Sequence, residues 1–321
     1  MLSSPAGTAT VETLDELYAA IEPLSMDAGW RRTPGARASG TFEPGRWRYR
    51  DGHGALESAG RLISPDLSER RNILLTNSGG PDSTLVTLVC AYQLVLPGER
   101  ARSHRHTAGA LRLGLDVGAG VYTIVDGVRL DMHPNDVVLT PSWCWHGHRN
   151  DGDQPAYWLD YLDSPFCRSI DQYVFEPFPG GYEDVTETAI TSPYVYPWHE
   201  TKAALAAAAV DPSGRYGRCV VLDRTPLDTM RLSMHALDAG TRTVAFSTSA
   251  NNLYTAVEGR GRSVIDGRAF EWERGDIVAA PSGKSQYHEA DGDAVLFCVS
   301  DEPLLERIGL LRTLSEEKSI G

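Results

Sequence analysis

Two pairs of alternating histidines are the residues of this sequence that are best suited to chemistry. His104 and His106 lie two residues apart in ERARSHRHTAGALR, and His146 and His148 repeat that spacing about forty residues later in TPSWCWHGHRN. On a β-strand, residues two apart point to the same face, so the first pair predicts two imidazoles on one side and Arg105 on the other. Neutral imidazoles grouped in this way bind divalent transition metals. The pattern therefore predicts a metal site inside a small β-barrel.

Short β-type segments surround these histidines and must position them. Between residues 72 and 163, runs such as LRLGL, VYTIVDG and AYWLDYL are separated by Gly, Pro, Asn or Asp about every 8–12 residues, which is typical of a sandwich or barrel. Similar runs extend over residues 219–299. Helices are predicted over three ranges, and the tail is predicted to be a helix or an extended dimer-contact segment. The helical ranges are 11–22, 56–62 and 200–209.

The two β regions repeat each other at a fixed register. VDG at residues 125–127 matches IDG at 265–267, and PS at 141–142 matches PS at 281–282, both at an offset of 140 residues. A constant offset of this kind indicates a duplicated barrel.

The second copy has lost the histidine set. His104 corresponds to Phe246, His106 to Thr248, His146 to Gln286 and His148 to His288. One barrel is therefore predicted to carry the chemistry and the other to be structural.

Composition restricts the possible partners and the compartment. The 321 residues carry a net charge of -13, which argues against a nucleic-acid partner because phosphate binding needs a surplus of Lys and Arg. No apolar run reaches the roughly 18 residues that span a bilayer, and no signal peptide is apparent, so no membrane association is predicted. The five cysteines are scattered and lack C-x-x-C spacing, which predicts reduced thiols in a cytoplasmic protein.

The residues around the histidines resemble a known family. G-x5-H-x-H at 98–106 and P-x4-H-x3-N at 141–150 are similar to the two-part cupin motif, and 92–112, 121–127 and 140–163 resemble the bicupin dioxygenases that cleave gentisate, salicylate and 1-hydroxy-2-naphthoate. The likeness extends to most of the chain. It implies an all-β fold of two jelly-roll β-barrels with an N-terminal helical arm and a short helical linker. The implied parts are the arm 1–71, the catalytic cupin 72–163, the linker 164–217 and the degenerate structural cupin 218–321.

His104, His106 and His146 are the expected metal ligands, and the resemblance implies Fe(II). The glutamate that often completes a cupin site is absent, since residues 107–115 contain no carboxylate and Asp116 lies ten residues beyond His106. A site with three neutral ligands keeps the full dipositive charge of its metal, which favours an anionic substrate that binds through a carboxylate and an ortho hydroxyl.

Four further residues are expected at the site. Arg112 lies six residues past His106, and on an unbroken strand that even spacing directs its guanidinium into the same interior, where it could bind the substrate carboxylate. The resemblance supports this role and implies that Gln93 also binds substrate. It further implies that His148 hydrogen-bonds the substrate or a reduced oxygen intermediate, and that Asp160 handles a ring hydroxyl proton. The structural alternatives are a salt bridge at the barrel rim and hydrogen bonds within the core.

Other positions have less definite roles. Arg70 and Arg71 match a double arginine of the family but are expected to be structural. Tyr161 departs from the small residue that is frequent there in relatives, and would narrow the substrate pocket if its ring reaches it. Residues 143–145 (WCW) are predicted to share the strand of His146 and to pack in the core, with the cysteine pointing away from the metal.

The leading hypothesis is an Fe(II)-dependent dioxygenase that opens a 2-hydroxybenzoate ring with O2, between the carbons that bear the carboxyl and hydroxyl groups. Gentisate is favoured, and salicylate, substituted salicylates and 1-hydroxy-2-naphthoate remain open. One alternative is another metal-dependent cupin enzyme, an isomerase or a decarboxylase, because three imidazoles do not select iron by affinity. The other is a non-catalytic cupin that binds an aromatic acid. The resemblance also implies a homo-oligomer, a homotetramer.

Overall fold

The computed structural model describes residues 13–21, 23, 42–64, 68, 70–80, 82–224 and 227–315. The chain divides into a unit of residues 1–41 and a larger unit that starts at Phe42. In the first unit the helix α1 (Leu14–Ile21) confirms the predicted helix over those residues, and the rest of 11–22 lies outside the described residues. No helix in the described ranges is long and apolar enough to cross a membrane.

Strands form most of the larger unit. In chain order its elements are β1 (Gly45–Trp47), α2 (Tyr49–Leu62), β2 (Arg71–Leu74), β3 (Val89–Val95), β4 (Arg100–His106), β5 (Ala110–Asp116), β6 (Val121–Val125), β7 (Val128–Asp131), β8 (Val137–Thr140), β9 (His146–Asn150), β10 (Ala156–Leu162), α3 (Ser164–Ser169), β11 (Phe175–Pro177), β12 (Glu187–Thr188), β13 (Val195–Tyr196), α4 (Trp198–Ala207), β14 (Arg218–Val221), β15 (Arg231–Leu237), β16 (Phe246–Thr248), β17 (Asn252–Glu258), β18 (Arg260–Ile265), β19 (Arg268–Glu273), β20 (Ile277–Ala280), β21 (Ser285–Ala290), β22 (Ala294–Ser300), α5 (Glu302–Arg307) and β23 (Thr313–Ser315).

These strands form two barrels, each made of two sheets. Barrel 1 consists of the sheets β13-β8-β5-β10-β3-β2 and β11-β4-β9-β6-β7-β12, and barrel 2 of β1-β20-β17-β22-β15-β14 and β19-β18-β21-β16-β23. The registers repeat as the sequence offset predicts, because His104 lies opposite His146 in barrel 1 and Phe246 lies opposite Gln286 in barrel 2. The predicted all-β fold of two jelly-roll barrels is confirmed.

A shared hydrophobic layer joins the barrels. Strands β3, β5 and β10 are buried on both faces, so their alternate side chains serve two cores. One set fills the interior of barrel 1, and the other, including Leu111 and Leu159, belongs to the same cluster as Leu253 and Phe297 of barrel 2. Because both faces of these strands are buried, their sequences carry apolar residues at most positions and not only at alternate ones.

Two reciprocal hydrogen bonds join the barrels beside this layer. Thr87, which precedes β3, donates to Asp301 at the end of β22, and Thr229, which precedes β15, donates to Asp163 at the end of β10. Both aspartates are buried, and burial raises the pKa of each above its ordinary value. Each barrel therefore supplies an acceptor to a threonine that precedes a strand of the other barrel.

Residues 45–62, from the predicted arm, pack on the barrels. β1 pairs with β20 of barrel 2, and α2 begins at Tyr49, earlier than the predicted 56. Gly52 of α2 lies so close to the Tyr92 ring that a Cβ there would be 2.4 Å from it. The linker helix is α4, and the tail forms α5 and the strand β23, which pairs with β16. The four-part division at 71, 163 and 217 stays a prediction.

Candidate active site and metal centre

Three imidazoles converge inside barrel 1. His104 and His106 lie on β4 and His146 opposite them on β9, and one ring nitrogen from each lies within 4.8 Å of the others. All three residues are buried, whereas the Arg105 side chain points the other way and is 26% exposed. The predicted alternation of the first pair is therefore confirmed.

The hydrogen bonds of the three rings leave one nitrogen of each for a metal. Nδ1 of His106 lies 2.8 Å from the Ala108 carbonyl oxygen, and Nδ1 of His146 lies 3.0 Å from the Cys144 carbonyl oxygen. His104 has a longer contact of the same kind. A carbonyl oxygen can only accept a hydrogen bond, so Nδ1 carries the hydrogen and Nε2 keeps its lone pair. Nε2 of His146 is buried and has no hydrogen-bond partner, which is the state expected of a metal ligand.

Burial keeps these imidazoles neutral. It lowers the pKa of His106 to about 4 and that of His104 to about 2, and it lowers the pKa of His146 well below the ordinary value. The nearby positive charge of Arg112 acts in the same direction on all three. Neutral rings are required for ligation, so this donor set fits a divalent transition metal.

Arg112 reaches the site by a different route from the one predicted. The strand is broken at residues 107–109, so His106 ends β4 in one sheet, whereas Arg112 lies on β5 in the facing sheet. The condition of an unbroken strand is therefore not met, and the even spacing does not account for the position of Arg112. The guanidinium is nevertheless buried inside the barrel, where Nη1 donates to the hydroxyl of Thr140.

Asp160 lies opposite Arg112 across the β5–β10 pair. Its Oδ1 is 3.0 Å from Nε of Arg112, an ion pair in which neither atom makes a well-directed hydrogen bond. Burial raises the pKa of the Asp160 carboxyl, and the charge of Arg112 opposes part of that shift. The two residues lie side by side within the barrel, and each helps to keep the other charged.

Several buried polar atoms of barrel 1 have no hydrogen-bond partner. They include Nε2 of Gln93, Nε2 of His148 and Nε1 of Trp158. The other ring nitrogen of His148, Nδ1, lies 3.0 Å from the hydroxyl of Thr123. Buried polar groups without partners are uncommon and indicate a place where a ligand or water binds.

Trp158 was missed by the sequence reasoning. Its ring centre lies 5.3 Å from that of His148, and its position opposite Gln93 places both side chains on the inner face. The signal was available, because Trp158 precedes Asp160 by two residues on the same strand.

The two neighbouring arginines differ in position. Arg71 donates hydrogen bonds to the Ile63 carbonyl oxygen and to the Glu99 carboxylate, which confirms its structural role. Arg70 donates to the Arg102 carbonyl oxygen on β4, and its charge lowers the pKa of both His104 and His148. Arg70 therefore adds positive potential to the site.

Comparisons with known proteins agree with this geometry. Residues 91–162 match the cupin domain family. A 5-aminosalicylate 1,2-dioxygenase from Comamonas sp. is 34% identical, with 84% of this chain and 81% of that protein covered. A gentisate 1,2-dioxygenase from Streptomyces sp. is 32% identical, with 94% and 95% covered. The chain belongs to the bicupin ring-cleaving dioxygenases. Among solved structures, salicylate 1,2-dioxygenase from Pseudoaminobacter salicylatoxidans with gentisate adducts has a TM-score of 0.85 at 27% identity, over 99% of this chain and 98% of that one.

Tyr161 lies outside the interior of this dioxygenase's catalytic barrel. Its side chain points into the layer between the barrels, where its hydroxyl contacts the Thr255 hydroxyl and its ring lies 5.8 Å from that of Phe297. It neither narrows nor repolarises the space around the histidines.

The WCW segment of this dioxygenase differs from its prediction. Residues 141–145 form a turn before β9, and Trp143 has a φ of 67° and is 40% exposed, so it is not core. Trp145 is half-buried beside Phe178. The Pro141 turn interrupts the strand, and this is why the alternation from His146 could not be extended backwards.

Barrel 2 of the dioxygenase keeps part of the polar interior without the ligands. Ser263 and His288 form a hydrogen bond of 2.8 Å that corresponds to the Thr123–His148 pair. Gln286, in place of His146, accepts a hydrogen bond from Tyr254. Among the described residues, the clustered histidine site is that of barrel 1 alone.

Proposed function

We propose that this chain is an Fe(II)-dependent dioxygenase that inserts both atoms of O2 into a 2-hydroxybenzoate-type substrate, between the carbons bearing the carboxyl and hydroxyl groups. Gentisate, giving maleylpyruvate, is the favoured substrate, with salicylate, substituted salicylates and 1-hydroxy-2-naphthoate as the other candidates. The observation that carries the proposal is the presence of three neutral imidazoles and the buried Arg112 in one barrel interior. The names of the relatives, which act on 5-aminosalicylate and gentisate, support the substrate class.

We assign the metal to Nε2 of His104, His106 and His146. The Nδ1 contacts with backbone carbonyl oxygens support this, since they fix the tautomer and the ring orientation. When bound, Fe(II) supplies a positively charged centre at which substrate and O2 can be held together for a redox reaction.

We assign the substrate carboxylate to Arg112. Its guanidinium is held by Asp160 and Thr140 before any ligand arrives, so little side-chain entropy is lost on binding. A planar guanidinium also suits a carboxylate better than an ammonium group would, because it donates two parallel hydrogen bonds. Arg70 adds to the positive potential that attracts an anionic ring.

Gln93 and His148 are the proposed contacts to the polar groups of the ring and to oxygen. Each has a buried nitrogen without a partner, which a substrate oxygen would satisfy. Burial lowers the pKa of His148, so the ring is neutral at pH 7, and its Nε2 can form a hydrogen bond with the substrate or with a reduced oxygen atom. Burial raises the pKa of Asp160, which suits this carboxyl to receive the ring hydroxyl proton.

An oxygen-uptake experiment tests the proposal. The protein is purified anaerobically, reconstituted with Fe(II) and mixed with gentisate or salicylate, while O2 consumption and the ultraviolet band of a ring-opened product are followed. Uptake with the band is the expected result. Uptake without the band, or no uptake with any hydroxybenzoate, would contradict it and favour another metal-dependent cupin or an aromatic-acid-binding protein.

Matched histidine variants locate the reaction. His104→Ala should abolish both metal binding and turnover. His288→Ala, which removes a buried histidine from the corresponding sheet of barrel 2, should leave the metal content unchanged. Equal loss in both variants would place the metal elsewhere.

We also propose an oligomeric state and a cellular compartment for this protein. The family resemblance supports a homo-oligomer, a homotetramer. The five free cysteines support a reducing, cytoplasmic environment.

A further inference from the structure

Arg105 occupies an unusual position between two metal-ligand candidates. Its guanidinium carbon lies 4.5 Å from the ring centre of Trp143 and 4.4 Å from that of Trp145, so the cation contacts both indoles. Its Nε and Nη2 donate to one carboxylate oxygen of Glu176 at 2.9 and 2.7 Å. These four residues are called the arginine clamp below.

The clamp holds β11 against the outer edge of β4. Glu176 lies opposite Arg105 in the register of these two strands, and its neighbour Phe175 faces the other way. The Phe175 ring stacks on His104 with centres 4.8 Å apart and an angle of 28°. The Tyr173 ring, two residues earlier, is nearly parallel to that of His106. The Arg105–Glu176 contact on the outer face thus holds the rings of Phe175 and Tyr173 beside the ligand imidazoles.

Trp143 is kept in a backbone conformation that disfavours it. A φ of 67° lies in the left-handed region, which a bulky side chain enters only at a cost. The equivalent residue of barrel 2 is Gly283, with a φ of 80°. The backbone hydrogen bonds match, because Trp143 N donates to the His106 carbonyl oxygen and Gly283 N to that of Thr248. The turn itself therefore forms without a tryptophan.

Barrel 2 serves as an internal control for the rest of the clamp. In the registers of the two barrels, Arg105 corresponds to Ser247 and Glu176 to Leu314, and at the offset of 140 Trp145 corresponds to Ser285. The barrel that lacks the three imidazoles thus lacks every member of the clamp, although its strands pair in the same way. Folding of such a barrel does not need the clamp, so its role lies with the ligands.

We propose that Arg105, Trp143, Trp145 and Glu176 act as positioning residues that hold the imidazoles of His104 and His106 in their ligating orientation. The proposal rests on the metal site assigned above. The clamp contacts β4 on its outer face, Phe175 and Tyr173 lie beside the rings of His104 and His106, and the turn through Trp143 and Trp145 leads directly into His146. Loss of the clamp lets the rings rotate, so a metal binds more weakly and in a less regular geometry.

Metal binding by three variants tests the clamp. Arg105→Ala removes the cation, and Trp143→Gly installs the residue of barrel 2. Arg129→Ala is the matched control, because Arg129 is also stacked on an aromatic ring (Tyr122, 3.9 Å) and paired with an acid (Asp131), but on β7. The cobalt(II) dissociation constant is measured by competition with a chromophoric chelator, together with the visible spectrum of bound cobalt and the melting temperature of the metal-free protein.

Loss of a residue that orients metal ligands typically lowers metal affinity by about 10- to 100-fold. Arg105→Ala and Trp143→Gly should therefore each bind cobalt at least about 10-fold more weakly, with an altered visible spectrum. Trp143→Gly should not lower the melting temperature, because glycine suits the left-handed conformation. Arg129→Ala should stay within about threefold of wild type.

Any other pattern overturns the proposal. If either clamp variant binds cobalt within about threefold of wild type, or if the control weakens equally, the clamp does not position the ligands. If Arg105→Ala fails to fold, Glu176→Gln takes its place under the same criterion. A wild-type protein that binds no cobalt would refute the metal site itself, which is distinguishable from a clamp that merely has no effect.

Discussion

Replacing Arg112 by methionine separates substrate binding from structural support. Two unit charges 3.0 Å apart, as in the Arg112–Asp160 pair, attract by roughly 5–6 kcal/mol at an effective dielectric constant of about 20. Desolvation offsets much of this attraction, but removal of one partner strands the other charge, at a cost of about 3–5 kcal/mol. Unfolding entropy scales to roughly 0.7 kcal/mol/K for a chain of this length, so the melting temperature should fall by about 4–7 °C.

Adding Asp160→Asn to this variant removes the stranded charge. The double variant should regain most of the lost stability, since replacing both partners of a buried pair is close to neutral. Its affinity for gentisate should stay low, because loss of a buried charged contact costs about 2–5 kcal/mol, or at least about 30-fold in Kd. Thermal unfolding and anaerobic titration of the metal-loaded proteins with gentisate measure the two effects.

Two results would refute this reasoning separately. If Arg112→Met binds gentisate within threefold of wild type, the guanidinium does not hold the carboxylate. If the double variant is as unstable as the single one, the cost arises from lost packing of the arginine side chain and not from the charge left on Asp160.

Three further predictions concern stability. Tyr161→Phe should cost about 1–2 kcal/mol by removing a buried hydrogen bond between the barrels, while kcat/KM stays unchanged because the ring lies outside the site. His235 and His288 have pKa values lowered by burial to about 4 and about 3, so the folded chain binds fewer protons than the unfolded chain below pH 6.5. Each should therefore cost the metal-free protein about 1–2 kcal/mol between pH 6.5 and 5, and His288→Gln should flatten that slope in denaturant titrations. Thr229→Ala should lower the unfolding free energy by about 1–3 kcal/mol, since it leaves a buried acceptor of Asp163 unsatisfied, and a change below 0.5 kcal/mol would contradict this.

Most of the correct predictions came from the alternation of side chains along a strand. It placed His104 and His106 on one face, and the fixed offset between the copies paired His146 with Gln286, because a barrel repeats its register when it is duplicated. These properties depend on neighbours along a strand or on a copied topology, and both are visible in the order of the residues.

Contacts between sheets could not be read in this way. Arg112 joins the histidines from the facing sheet, and the break at 107–109 that makes this possible has no strong turn signal. Tyr161 adjoins Asp160, so alternation along β10 places their side chains on opposite faces. Because β10 is buried on both faces, composition alone does not indicate which face is the catalytic interior. The exposed Trp143 follows from a left-handed turn residue that sequence statistics assign to glycine.

The layer shared by the two barrels has a consequence for synthesis on the ribosome. Strand β10 of barrel 1, which contributes to this layer, ends at Leu162, and the strand that completes the facing sheet of barrel 2 ends at Ser300. At about 5–20 residues per second, the intervening 138 residues take roughly 7 to 30 s to emerge. During that interval the outer leucines of β5 and β10 have no partner, and β1, made first, waits for a sheet that is made last. The nascent chain therefore exposes an apolar face during this interval, and a catalytic barrel produced without its companion should aggregate.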